Sequence, residues 1–308
     1  MIGAMVRHTG SRFASGAWRR ALLVVLVPLL GAVAACTTTS TETKSVYGTA
    51  GGASAGGAGD APRVDTSRTN SKGDLITASD EPAGLRRARV RFELASAYYG
   101  RGQLAVALDE VKLALAADPT LAEAQNLRGL IYAGLGDATL AEESFRRALE
   151  LNGKDADTMH NYAWFMCQQQ RYDDADAMFT RALQVPLYRG VTVTLRAQGV
   201  CQARAGRLDQ ARQTLTRSYD LDPSNPATAV NLSEVLLRAN QQLERARFYM
   251  QRVNSVPQLA NAQTLWLAAR IEARLGNTRG ATEFGVQVQS RYPNSPEARA
   301  FEQGQFNE

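Results

Sequence analysis

The sequence predicts an all-α chain, a right-handed solenoid of about six helix pairs, on three observations. Alanine recurs at Ala107, Ala141, Ala175, Ala211, Ala246 and Ala281, at steps of 34, 34, 36, 35 and 35. Five residues before each stands Gly102, Gly136, Gln170, Gly206, Gln241 or Gly276, where a turn is due. Seven residues after each stands Ala114, Ala148, Ala182, Ser218, Val253 or Val288. The stretch 122–153 shows one unit in full. Gly129 and Tyr132 share the inner face of a first helix, and Gly136 turns the chain. Ala141, Phe145 and Ala148, spaced by four and three, then share one face of a second helix.

A period of about 34 residues with this small-and-aromatic pattern is that of a tetratricopeptide repeat. One helix pair cannot bury its apolar face alone; stacked neighbours build a continuous core and a curved solenoid. The first helices of the pairs are expected to line the inner face, a long groove suited to an extended polypeptide.

The chain before the array falls into two parts. Arg19 and Arg20 precede the apolar run ALLVVLVPLLGAVAA, a positive region followed by a hydrophobic region too short to span a bilayer comfortably. Val33-Ala34-Ala35-Cys36 resembles a bacterial lipobox. Residues 1–35 are therefore expected to be a lipoprotein signal peptide, with Cys36 the lipidated residue and palmitate among its acyl chains. Thr37 stands where an Asp favours inner-membrane retention, so the outer membrane is the expected destination. Buried acyl chains contribute about 0.8 kcal/mol per CH2, which anchors a multiply acylated Cys firmly. Residues 36–84, with the run GTAGGASAGGAGD, are too poor in apolar side chains to offset their ordering entropy and read as a tether. Random-coil scaling gives the tether a mean reach of roughly 35–40 Å.

The array is expected over residues 85–301, with 302–308 a C-terminal tail. The first repeat carries Leu94, Ala95 and Tyr98, then Ala107, Val111 and Ala114, and ends at Asp118-Pro119, where proline stops a helix. The second ends at Gly153. The third carries Tyr162, Ala163, Met166, Ala175 and Phe179, and is followed by two extra residues near Pro186. The fourth has Leu195, Gly199, Leu215 and Pro223; the fifth has Leu232, Leu236 and Met250, with one extra residue near Asn240. The sixth has Leu265, Ala269 and Val288. Gly285 stands there where a bulky residue is expected, as in a degenerate repeat that closes a stack.

Repeat positions 2, 5, 6, 9 and 12 point into the groove in this architecture. The candidate partner-binding residues are Arg89, Phe92, Glu93, Ser96 and Tyr99 from the first repeat and Asn126, Leu127 and Leu130 from the second, with Asn161 and Trp164 from the third. Phe92, Leu127, Leu130 and Trp164 are expected to form an apolar floor with polar edges, the kind of patch that marks interaction sites. Asn161 and Asn231 occupy positions used by carboxylate clamps, but the accompanying lysines are missing, which argues against a chaperone-tail clamp. Cys167 and Cys201 fall late in neighbouring first helices, as a disulfide or as two buried thiols; export favours the disulfide.

Composition excludes several classes. The net charge of +5 owes four charges to Arg7, Arg12, Arg19 and Arg20, so the chain from Cys36 onward carries about +1 and nucleic acid is not an expected partner. His160 is the single histidine after residue 36, and no P-loop or CxxC is present. Asp173-Asp174 and Glu142-Glu143 read as solvated helix charges. No catalytic set, metal site, cofactor or small-molecule substrate is expected.

The stretches ARVRFELASAYYGRGQLAVALDEVKLALAADP, HNYAWFMCQQQRYDDADAMF, AQGVCQARAG, ARFYMQRVN and TLWLAARIEARLGN resemble the PilF/PilW family of type IV pilus biogenesis lipoproteins. The resemblance implies an outer-membrane lipoprotein with its repeats in the periplasm. It implies a pilotin that helps a PilQ-like secretin, the ring through which the pilus exits, localise and multimerise. The alternatives are a lipoprotein adaptor for cell-wall hydrolases and an outer-membrane protein assembly factor.

Overall fold

A computed structural model describes residues 82–306, and among them it contains thirteen helices and no strand. The helices come in antiparallel pairs because each first helix ends in a tight left-handed turn. The first pair is α1 (Ala83–Gly100) with α2 (Leu104–Ala117), and the second is α3 (Ala122–Leu135) with α4 (Ala138–Leu151). Next come α5 (Ala156–Gln168) with α6 (Tyr172–Leu183), then α7 (Val191–Arg204) with α8 (Leu208–Leu221). The last two pairs are α9 (Pro226–Arg238) with α10 (Leu243–Asn254) and α11 (Ala262–Arg274) with α12 (Thr278–Arg291). A short α13 (Pro296–Glu302) follows. The signal peptide, Cys36 and nearly all of the tether lie outside the described residues.

The turn after α3 shows how a pair closes. Gly136 takes φ 83°, which lets the Asp137 N–H donate to the Tyr132 carbonyl at 2.9 Å. The Asp137 carboxylate then accepts from the Leu140 N–H and starts α4. Gln170 makes the same turn at φ 61° without being glycine, at a cost of roughly 1–2 kcal/mol. In the fifth pair the left-handed residues are Asn240 and Gln242, not Gln241, because the extra residue spreads the turn over three positions.

Each second helix packs on its own first helix and on the next one. First helices of successive pairs also lie close to each other, as α3 on α5 and α5 on α7, whereas among the described residues the backbones of successive second helices stay further apart, and α8 meets α10 through the Tyr219 and Tyr249 rings. This places the first helices on the inner side of the curve. All six periodic alanines are buried, which allows the close approach. A methyl added at Gly129 would sit 2.8 Å from the Phe145 ring, so this glycine is the socket for that ring.

The end of the stack differs from expectation. Gly285 is a second such socket: a Cβ there would meet Phe301 of α13 at 2.2 Å. The residue that seemed degenerate makes room for a ring that arrives from the following helix. Phe306 also folds back, its ring 5.1 Å from Trp266, so residues 303–306 complete the cap instead of trailing from it.

Candidate partner-binding groove

Helices α1, α3 and α5 carry the ten predicted groove residues, and the structure divides them. Arg89 and Glu93 are exposed on α1. The Ser96 hydroxyl turns back and donates to the Phe92 carbonyl at 2.8 Å. Phe92 and Tyr99 are half-buried against the core of the first two pairs. Leu127 is 6% exposed within that same core, so it does not belong to a groove floor. It packs there with residues of α1 and α2. Leu130 and Trp164 are half-buried against a different core, that of the second and third pairs. The expected single floor is therefore two separate apolar edges.

Polar groups fill the space between. The Asn161 carboxamide donates to the Asn126 side-chain oxygen at 3.2 Å, which ties α5 to α3 across the groove surface. The Arg204 guanidinium lies 4.9 Å from the centre of the Trp164 ring, a cation–π contact that leaves the groove edge of α7 positively charged. Trp164 was legible in the sequence; Arg204 was not singled out. Its signal was its place on the same stripe of α7 as Val200, one turn further along.

Several buried polar groups hold these helices in register. Gln198 and Gln202 of α7 both donate to the Asp176 carboxylate of α6, at 3.0 and 2.7 Å. Arg171 pairs with Glu142, which also accepts from the Tyr162 hydroxyl, linking α4, α5 and the start of α6. The Arg171 hydrogen bond holds the Glu142 carboxyl below its usual range, and burial pushes the Tyr162 hydroxyl up to about 12. His160 shares a 2.9 Å hydrogen bond with the Thr194 hydroxyl of α7. Burial first, and then the Arg196 charge, hold its pKa at about 4, so His160 is neutral near pH 7.

A disulfide joins Cys167 of α5 to Cys201 of α7, with Cα atoms 5.9 Å apart. It fastens two neighbouring first helices beside the Trp164–Arg204 edge. Among the described residues no cluster of three or more His, Cys, Asp or Glu side chains could hold a metal ion.

Stacked helix pairs with a polar, partly apolar inner face define a tetratricopeptide-repeat protein. Models of the tetratricopeptide repeat match residues 122–155 and 168–226. The crystal structure of PilW, described as a widely conserved type IV pilus biogenesis factor, is similar to this chain. It is 31% identical, with TM-score 0.65, over 69% of this chain and 97% of that one. The type IV pilus assembly protein PilF of Pseudomonas aeruginosa is 25% identical over 210 residues, 68% of this chain and 82% of the relative. A structure of the Pseudomonas aeruginosa PilF, 24% identical with TM-score 0.63, shares the fold over 72% of this chain and all of that one. The chain belongs to the PilF/PilW family.

Proposed function

We propose that this chain is a type IV pilus biogenesis scaffold: an outer-membrane lipoprotein, anchored through Cys36, whose groove binds the pilus secretin and promotes its multimerisation. The observation that carries the reading is the likeness to PilW across nearly the whole of that protein. The inner face supports it with a surface built for protein binding, and among the described residues no helix is long and apolar enough to cross a membrane.

The mechanism is one of local concentration. A lipid-tethered groove captures an extended segment of a secretin monomer, holds it near the outer membrane and shields it from aggregation until the ring closes. Positioning is all that this requires of the chain, and no bond is made or broken. The test is whether secretin multimers form in a strain that lacks the chain. Their absence supports the proposal, and their normal formation removes it.

A further inference from the structure

The inner stripe of α7 carries Val193, Arg196, Ala197, Val200 and Arg204 at helical spacing. Arg196 is half-buried there. The other half-buried arginines all reach a partner. Arg128 donates to the Ser144 hydroxyl, Arg171 pairs with Glu142, and Arg207 with Asp173. Arg212 pairs with Asp209, Arg247 with Glu272, and Arg270 with Glu234. Arg196 alone makes no hydrogen bond, ion pair or ring contact with any described residue. Burial lowers its pKa and no neighbouring carboxylate counters the effect. The residue is half-buried, but none of its unpaired guanidinium nitrogens is sealed from solvent, so the group is open to an anion from outside the chain.

Its surroundings narrow the ligand. His160, on the facing side of α5, is neutral and adds no second positive charge near pH 7. The Asn126–Asn161 pair and Asn231, on the inner stripes of α3, α5 and α9, present uncharged hydrogen-bonding groups of the kind that bind peptide backbone. Half-buried Trp164, Val200 and Val230 supply apolar contacts. Arg204, two turns further along, is stacked on Trp164, and Glu234 of α9 is paired with Arg270, so Arg196 is the unpartnered half-buried charge there and fits one carboxylate on an otherwise uncharged segment. Arg196 lies in the fourth of six helix pairs, so the inner face continues past it in both directions. A chain can therefore run through, which favours a side-chain carboxylate over a chain terminus.

We propose that Arg196 is the anion point of the groove, and that it seats the Asp or Glu carboxylate of an extended, otherwise apolar stretch of the captured polypeptide. The inference rests on the groove reading above. It names the chemistry that the groove selects.

The test uses the purified full chain in detergent and a library of nonapeptides that are apolar around the central residue. The peptides are made in three forms: central Asp with an amidated end, central Asn with an amidated end, and central Asn with a free C-terminal carboxylate. The Asp form is expected to bind about tenfold more tightly than its Asn twin, with an advantage that shrinks as salt rises. Arg196→Gln should abolish that advantage and leave the affinity for the Asn form unchanged, which shows that the fold is kept. The proposal is overturned if no form binds, if all bind equally, if only the free terminus is preferred, or if Arg196→Gln keeps the preference. Secretin plays no part in this assay, so its failure is separate from failure of the pilotin reading.

Discussion

Substituting Gly285 by alanine should destabilise the end of the solenoid, although Gly→Ala inside a helix ordinarily stabilises. The ordinary gain is about 0.5–1 kcal/mol from the reduced freedom of the unfolded chain. At Gly285 the new methyl would lie 2.2 Å from the Phe301 ring, far inside contact distance. The ring must leave its socket, and α13 and Phe306 lose their packing against Trp266 with it. Overpacking of this kind costs about 1–3 kcal/mol, so the net change is a loss of about 1–2 kcal/mol. A second background makes the reasoning decisive. In Phe301→Ala the obstacle is gone, and Gly285→Ala should then stabilise by about 0.5–1 kcal/mol. The assay is urea unfolding followed by Trp266 fluorescence in a Trp164→Phe background, with the four chains compared as a double-mutant cycle. A Gly285→Ala effect of the same sign in both backgrounds would refute the socket.

His160 and the disulfide give two further expectations. The folded pKa of His160 is held at about 4 against an ordinary 6.5, so the unfolded chain takes up the proton first. Stability should therefore fall as pH drops from about 6.5 to about 4, by up to about 3 kcal/mol, and level off below that. His160→Gln should flatten the urea midpoint over the same range, and an unchanged slope would show that another group is responsible. The Cys167–Cys201 bond closes a loop with sequence separation 34. The chain-entropy model assigns such a loop about 4 kcal/mol. Reductant should lower the unfolding midpoint of the parent chain but leave Cys201→Ser, already lowered, where it is; equal midpoints for all samples would mean that the bond does not form in solution.

The periodic alanines and the turn residues made the fold legible, because each records a steric demand that recurs in every pair. Gly136 and Gly206 could be read as turns without coordinates. Gly285 could not be read correctly. Its partner Phe301 lies outside the repeat frame, and a frame built on recurrence can only register a missing bulky residue there. Leu127 was misplaced for a related reason. Repeat position 6 points inward on average, but the α3 residue at that position turns into the core of the first two pairs. Asn126 and Asn161 were both named, yet their hydrogen bond depends on how α3 and α5 cross, and that is set by packing. Arg196 was invisible as a site because its distinguishing property is the lack of a partner. Only coordinates show that the other half-buried arginines have one. The lipid anchor at Cys36 rests on the sequence pattern, since that residue lies outside the described part of the chain.

The most direct test of the account is an immunoblot of the secretin in unboiled, fractionated membranes. It compares a strain lacking this chain, the same strain carrying the chain, and the same strain carrying Cys36→Ser. The account predicts that heat-resistant secretin multimers vanish without the chain and leave monomer behind. They return to the outer membrane with the intact chain, and with Cys36→Ser they fail to reach it. Normal multimers in the outer membrane of the deletion strain would contradict it.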